Sequence, residues 1–399
     1  MTDPKNPALL VTGRRAQSCP FEPASELTAL REQGDLPSIS GEHPFLGHFD
    51  VRAVSRYADV RAVFAHEHLA AGANVVDPDG PRTLFNQPGF LLSYDGPEHA
   101  RLRRMLTGAF TVRRLQQMRP WIERIVSAQL DAMQEADPVV DLVQLYALPI
   151  PSLVICELLG VPYTDRADFQ HRSAVLLDFT RTAEEQIANY TGMYAYMAEL
   201  VARLRAEPGD SLLGEVVGKH GDDVTDEELI GFGNLLLIAG HETTSNMIAL
   251  GTLALLQNPE QLAAVRDDEV TTPAVEELLR YLSIVGQIGR HATTDLAVNG
   301  HEIAAGERLS LSILAANQDP GLVGRDAGLD VRRKPVPHLA FGFGAHQCLG
   351  QQLARIELKA ALPALLRRFP TLRLALPFEQ IDFRVLSPVY GLKSLPLTW

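Results

Sequence analysis

Apolar positions recur at three- and four-residue intervals over most of this chain, the spacing of one buried helix face. Residues 97–118 carry that period behind Pro97-Glu98, a favoured helix start, and residues 120–135 carry it again. The stretch 164–206 reads as two or more helices broken near Thr180-Arg181-Thr182. Thr225-Asp226-Glu227-Glu228 is a capping box, and the apolar run behind it predicts a long helix to about Leu256. Gln257-Asn258-Pro259-Glu260 ends that helix and opens the next, and Pro273 to Tyr281 predicts a short one. Strand signals are sparser: 51–55, 297–303, 308–313 and a C-terminal stretch around 386–398, with Asn299-Gly300 as a hairpin turn. The predicted fold class is therefore mainly α with small, mostly antiparallel β-sheets (α+β). Residues 66–95, with Gly72, Pro78, Gly80, Pro81, Pro88 and Gly89, predict a long irregular segment, which in a compact domain is usually functional or disordered.

Composition narrows the function without naming it. The 399 residues are 46% hydrophobic and 21% charged, ordinary for a soluble globular protein and enough for a large core. No linker, repeat or low-complexity tract is visible, and a single domain over 1–399 with no fused reductase domain is expected. A formal net charge of −13 argues against a nucleic-acid partner. No apolar run approaches the roughly 20 residues of a membrane span, and the start shows no signal peptide. Three widely spaced cysteines, Cys19, Cys156 and Cys348, make no disulfide framework, which fits a reducing cytoplasm.

Four clusters carry chemistry. The segment Phe341-Gly342-Phe343-Gly344-Ala345-His346-Gln347-Cys348-Leu349-Gly350 puts a cysteine in a glycine-rich loop directly ahead of a helix-forming run. A cysteine near a helix start is usually a small buried hydrophobe. Here, however, backbone N–H groups and the helix dipole would stabilise a thiolate, and the glycines would let backbone approach a large flat group. The long helix carries Ala239-Gly240-His241-Glu242-Thr243-Thr244-Ser245 amid apolar residues. One reading is a helix with one polar face. The other is a helix crossing a cofactor, since a buried unpaired carboxyl costs several kcal/mol and an interior glycine about 1 kcal/mol. Glu277 and Arg280 lie three apart on one helix face and can pair, a weak signal by itself. His99 and Arg103 lie one turn apart and point the same way, as a basic solvated face or as an anion-binding one.

Together these residues resemble the cytochrome P450 family. Its haem-ligand loop, Phe-x-x-Gly-x-(His or Arg)-x-Cys-x-Gly, is matched by Phe341, Gly344, His346, Cys348 and Gly350. Its (Ala or Gly)-Gly-x-(Asp or Glu)-Thr motif is matched by Ala239, Gly240, Glu242 and Thr243. The resemblance extends from Ser55 to Trp399 and is strongest to soluble bacterial, actinobacterial members acting on natural products and xenobiotics. It implies the P450 fold with haem b (Fe-protoporphyrin IX), Cys348 as axial iron ligand and Phe341 shielding its sulfur. His99, Arg103, Arg290 and His346 would hold the propionates. Gly240 would leave room for dioxygen or distort the helix, while Thr243 and Glu242 would steer protons to bound O2. His241 falls on the variable position and receives no role, and Glu276 is expected to face solvent. Glu277 and Arg280 would lock the core behind the haem.

The implied activity is a monooxygenase inserting one oxygen atom into an apolar small molecule, by hydroxylation or epoxidation of a polyketide, macrolide or terpenoid-like secondary metabolite. By family position Phe90 to Leu92, Leu177, Phe179, Leu236, Ala239, Gly286 to Ile288 and Pro388-Val389 would line the pocket. Electrons would come from NAD(P)H through a separate ferredoxin and ferredoxin reductase. Arg103, Arg104, Arg113, Arg114, Arg355 and Lys359 are candidates for the docking patch, and a monomer is expected. A xenobiotic or steroid-like substrate, oxidative coupling, a peroxygenase and a haem sensor or carrier are the alternatives. One position departs from the pattern: the family's usual third partner of the Glu–Arg pair falls on Gly328, leaving Arg325, Arg332 and Arg333 as substitutes.

Overall fold

The computed structural model describes residues 13–16, 18–33, 36–43, 47–71, 86–166, 168–169, 172, 182–267, 270–385 and 387–399. In chain order they form α1 (Ser25–Gln33), β1 (Ser38–His43), β2 (Gly47–Val54), α2 (Tyr57–Ala65), β3 (Leu69–Ala70), α3 (Gly96–Thr107), α4 (Val112–Glu135), β4 (Val140–Asp141), α5 (Pro149–Leu159) and α6 (Ala183–Ala206). There follow α7 (Leu212–His220), α8 (Asp226–Leu256), α9 (Pro259–Arg266), α10 (Thr271–Leu282), β5 (Gln287–Ala292), β6 (Leu296–Val298), β7 (His301–Ile303), β8 (Arg308–Ser312) and α11 (Ile313–Asn317). The last are α12 (Pro320–Val323), α13 (Gln351–Arg368), β9 (Arg373–Leu374) and β10 (Pro396–Thr398). Contacts divide the chain into two units, residues 1–73, 246–348 and 362–399 in the first and 74–245 with 349–361 in the second.

The first unit is built on a five-stranded sheet in the order β1-β2-β8-β5-β3. Only the β2–β8 pair is parallel, with Arg52 opposite Leu309. Leu309 to Ser312 are all buried, as in a central strand covered on both faces. Val60, Val63 and Phe64 of α2 pack with Val54, Leu309, Leu311 and Leu339 in one apolar core. The strand β5 escaped the hydrophobic pattern because its sequence, Gln-Ile-Gly-Arg-His-Ala, does not alternate; its register places Arg290 opposite Leu309. The Asn299-Gly300 turn closes the β6–β7 hairpin with positive φ at both positions, 48° and 84°.

The second unit is helical. The continuous helix predicted over 97–118 is interrupted: α3 stops at Thr107, a tight turn covers Gly108–Phe110, and α4 begins at Val112. Thr111 caps α4 by accepting a hydrogen bond from the Arg114 N–H at 3.4 Å. Pro120, where a boundary was predicted, lies inside α4. Burial of Leu115, Ile122, Ile125, Val126, Leu130 and Met133 on one side of that helix outweighs the proline cost of about 3 kcal/mol. The predicted starts of α6 and α8 hold. Thr182 and Glu185 form a reciprocal capping box, and so do Thr225 and Glu228, at 3.2 and 2.8 Å.

Candidate active site

In the first unit the cysteine loop is folded by its own backbone. Gly342 N–H donates to Leu339 O at 2.8 Å, Gln347 N–H to Gly344 O at 3.1 Å, and Cys348 N–H to Phe341 O at 2.9 Å. Residues 341–348 are therefore a closed loop that ends on an exposed cysteine. Gly344 adopts φ +77°, and a Cβ there would meet the Phe64 carbonyl oxygen at 2.4 Å. Only glycine lets this loop lie against the end of α2. The Arg290 guanidinium stands 5.1 Å from the Phe64 ring and donates to Gly289 O at 2.8 Å. Cys348, Phe341, Gly344, His346 and Arg290 are thus gathered around α2 and the loop. Among the pocket positions, Ile288 and Val389 are half-buried in this unit.

A charged frame holds the loop from behind. Glu277 and Arg280 are both buried and paired twice, Arg280 Nε to Glu277 Oε2 at 2.8 Å and Arg280 Nη2 to Glu277 Oε1 at 2.7 Å. Arg333 supplies the third member, its Nε donating to Glu277 Oε1 at 3.2 Å. Gly328 takes part through its carbonyl, which accepts from Arg280 at 3.0 Å and from Arg333 at 3.2 Å. Arg280 also donates to Asn317 O at 2.9 Å. The Asn317 side chain accepts from the Leu339 N–H at 2.6 Å, so one chain of bonds runs from the ion pair to Leu339, two residues ahead of Phe341.

Two residues on this frame went unread in the sequence. Asn317 is one, fully buried at the end of a short helix. The other is His338, whose Nε2 lies 3.2 Å from Glu276 Oε2 and whose ring centroid lies 6.2 Å from that of Phe341. Glu276 does not face solvent as expected, because this contact draws its carboxyl inward to 14% exposure. The only sequence signal for His338 was its place three residues ahead of Phe341.

In the second unit Thr243 Oγ1 donates to the Ala239 carbonyl at 2.7 Å. Its lone pairs remain able to accept. Ala239 is exposed in the middle of a helix that is otherwise largely buried, and Glu242 is buried beside it. Gly240 has a packing reason in the structure: a Cβ there would meet Ile155 Cδ1 of α5 at 2.3 Å. His241 is buried with no partner for Nδ1, and burial holds its pKa down at about 4. His99 is buried and Arg103 half-buried on the same side of α3. Phe90 and Leu91 are buried in a turn held against α8, where a Cβ on Gly231 would meet the Pro88 carbonyl at 1.9 Å. Leu236 is buried on α8, whereas Leu177 and Phe179 lie outside the described residues. Of the basic candidates, Arg114 is engaged internally, paired with Glu215 and donating to Asp210 O at 2.7 Å.

Comparison with known proteins places the chain. The family profile described as Cytochrome P450 matches residues 204–322 and 325–380. Cytochrome P450-SU2 of Streptomyces griseolus is 44% identical over 98% of this chain and 97% of that protein. Pentalenic acid synthase of Streptomyces avermitilis is 41% identical over 96% of each. The solved structure of P450 StaH from glycopeptide antibiotic A47934 biosynthesis superposes with a TM-score of 0.86 at 41% identity, covering 98% of this chain and 99% of that one. The chain belongs to the cytochrome P450 family and is a P450 monooxygenase of the actinobacterial type.

The family implies haem with a thiolate ligand. The residues present fit it: an exposed cysteine closes a loop whose glycine admits no side chain, with Arg290 and His346 as donors beside it. The long helix offers an exposed alanine next to a buried acid and an alcohol. Among the described residues, no helix is long and apolar enough to cross a membrane.

Proposed function

We propose that this chain inserts one oxygen atom from O2 into an apolar small molecule, by hydroxylation or epoxidation, and that its substrate is a polyketide, macrolide or terpenoid-like secondary metabolite. The closed loop ending on the exposed Cys348 carries this reading. The bound haem supplies oxygen activation, favoured by electron density from the Cys348 thiolate. By family position Phe341 would shield the sulfur, and His99, Arg103, Arg290 and His346 would provide donors for the propionates. Thr243 donates its hydroxyl hydrogen bond to Ala239 O, so its oxygen would serve as the acceptor for a proton-bearing oxygen in the site. Glu242 is the acid that resupplies protons, and its burial keeps bulk water from doing so indiscriminately.

By family position Phe90, Leu91, Leu177, Phe179, Leu236, Ile288 and Val389 would line the pocket. These side chains carry no charge, which favours an apolar skeleton over an ion-paired substrate. The relative named pentalenic acid synthase and the structure titled for glycopeptide antibiotic biosynthesis support a natural-product role. Electrons would arrive from NAD(P)H through ferredoxin reductase and ferredoxin, with the monomeric protein in the cytoplasm. Arg104 and Arg113 are exposed and remain available for docking. The test is a reduced-CO spectrum of the purified protein, followed by turnover of apolar natural products with surrogate ferredoxin and reductase. A thiolate-type CO band and a product heavier by one oxygen atom are expected. Absence of that band overturns the role of Cys348, and a product lighter by two hydrogens overturns oxygen insertion in favour of coupling.

A further inference from the structure

Arg15 lies far in sequence from every residue assigned above, yet it is half-buried among them in the first unit. It sits on a turn closed by Ala16 N–H to Glu22 O and Ala24 N–H to Arg14 O, each at 2.9 Å. From there its side chain reaches the end of α10. Nη2 donates to Leu282 O and, at 3.1 Å, to Ser283 O, while Nη1 donates to Phe21 O at 3.2 Å. The Leu282 and Ser283 carbonyls are those of a helix C-terminus, where a cation is favoured. The flat face of the guanidinium lies 4.0 Å over the Tyr390 ring. Tyr390 is stacked in turn on Phe383, with centroids 5.8 Å apart and planes 14° from parallel.

Arg15 therefore touches two segments at once. One leaves α10 through Ser283, which has φ 39°, and runs by Gly286 into Ile288. The other is the C-terminal loop of Val389 and Tyr390. A backbone bond joins them, Tyr390 N–H to Ile284 O at 2.8 Å. The backbone at Gly13 reinforces the contact, since a Cβ on Gly286 would meet Gly13 Cα at 3.3 Å. The position carries a real cost. Burial lowers the Arg15 pKa to about 10, and its Nε is buried with no partner. An orphaned buried donor is destabilising, a cost that an apolar side chain would avoid.

We propose that Arg15 is a positioning residue for substrate selection: it clips the Leu282–Gly286 segment to the Ser387–Tyr390 loop and so sets the spacing of Ile288 and Val389. The proposal rests on the reading of those two residues as pocket wall. Its test compares the wild-type holoprotein with Arg15→Leu, and with Arg15→Lys, which keeps a cation but cannot span both carbonyls and the ring. Amide hydrogen exchange at Tyr390 reads the clip directly, without reference to haem. Soret titration with imidazole and with 4-phenylimidazole reads the pocket.

In Arg15→Leu, Tyr390 exchange rises about tenfold and the 4-phenylimidazole Kd rises about tenfold, while the imidazole Kd moves by less than about twofold. Arg15→Lys falls between the two. Unchanged Tyr390 exchange overturns the clip. Faster exchange with both azole affinities unchanged, or shifted alike, overturns the role in selection, because mere loss of stability would not discriminate by ligand size. A wild-type protein that binds neither azole overturns the haem reading and the pocket role with it, and the exchange result separates that failure from failure of the clip. Should Arg15→Leu not fold, Tyr390→Leu removes the stacking face alone and must reproduce the same selectivity change.

Discussion

Arg333→Leu tests whether Arg333 has taken the place left by Gly328. Arg333 donates to Glu277 Oε1 at 3.2 Å, to Asp326 O at 3.1 Å, to Gly328 O at 3.2 Å and to Val323 O at 3.4 Å. The first is a hydrogen bond between charged groups, worth about 1.5–3 kcal/mol, and the carbonyl bonds are worth about 0.5–1.5 kcal/mol each at best. The side chain is 17% exposed and Glu277 keeps Arg280, so water and the remaining partner recover part of that sum. The expected loss is roughly 2–4 kcal/mol. Glu277→Gln, which strands the fully buried Arg280, should lose at least as much, about 3–5 kcal/mol. Urea unfolding of the holoprotein, followed by far-ultraviolet circular dichroism at constant m, gives both values. Arg325→Leu, on an exposed side chain, should stay within about 0.5 kcal/mol of wild type. An Arg333→Leu loss no larger than that of Arg325→Leu would refute the assignment of Arg333 to the buried network.

Three further outcomes follow from the same geometry. Thr243→Ala removes the hydroxyl that bonds Ala239 O, so product per NADPH should fall about tenfold as hydrogen peroxide rises; unchanged coupling would remove Thr243 from proton delivery. His241 titrates near 4 in the folded protein against 6.5 in the unfolded chain. Its stabilising contribution is therefore complete above pH 6.5 and is lost as the pH falls towards 4, because the unfolded state takes up the proton first. His241→Leu should shrink the stability loss between pH 7 and pH 4.5 by about 2–3 kcal/mol, measured by denaturant unfolding at both values. Gly344→Ala forces a side chain at φ +77° into the Phe64 carbonyl and should displace the cysteine loop, seen as loss of the thiolate-type CO band while far-ultraviolet dichroism persists.

Much of the helical frame was legible because its signals are local. The capping box at Thr225, the break near Thr182, Pro259 at the start of α9 and the Asn299-Gly300 turn each depend on residues within one turn of each other. The break between α3 and α4 was misplaced because Pro120 advertises a boundary more loudly than Thr111. Burial along α4 decided otherwise. The strand β5 was faint because its pairing with β8, not its side-chain alternation, defines it.

The candidate site divides along the same line. The residue types and spacings of the cysteine loop and of the Ala239–Thr243 stretch were written in the sequence, since a thiolate loop and an acid–alcohol pair are short-range constructions. Which arginine completes the Glu277 pair was not, because Arg333 lies 56 residues away and its approach depends on the path of the chain after α11. Nor was the burial of Glu276 against His338, 62 residues apart, or the reach of Arg15 to the end of α10 across 267 residues. Local chemistry determines what a segment can do. Only the packed chain determines which distant charge is buried beside it, because the energy of a charge is set by the neighbours that replace its water.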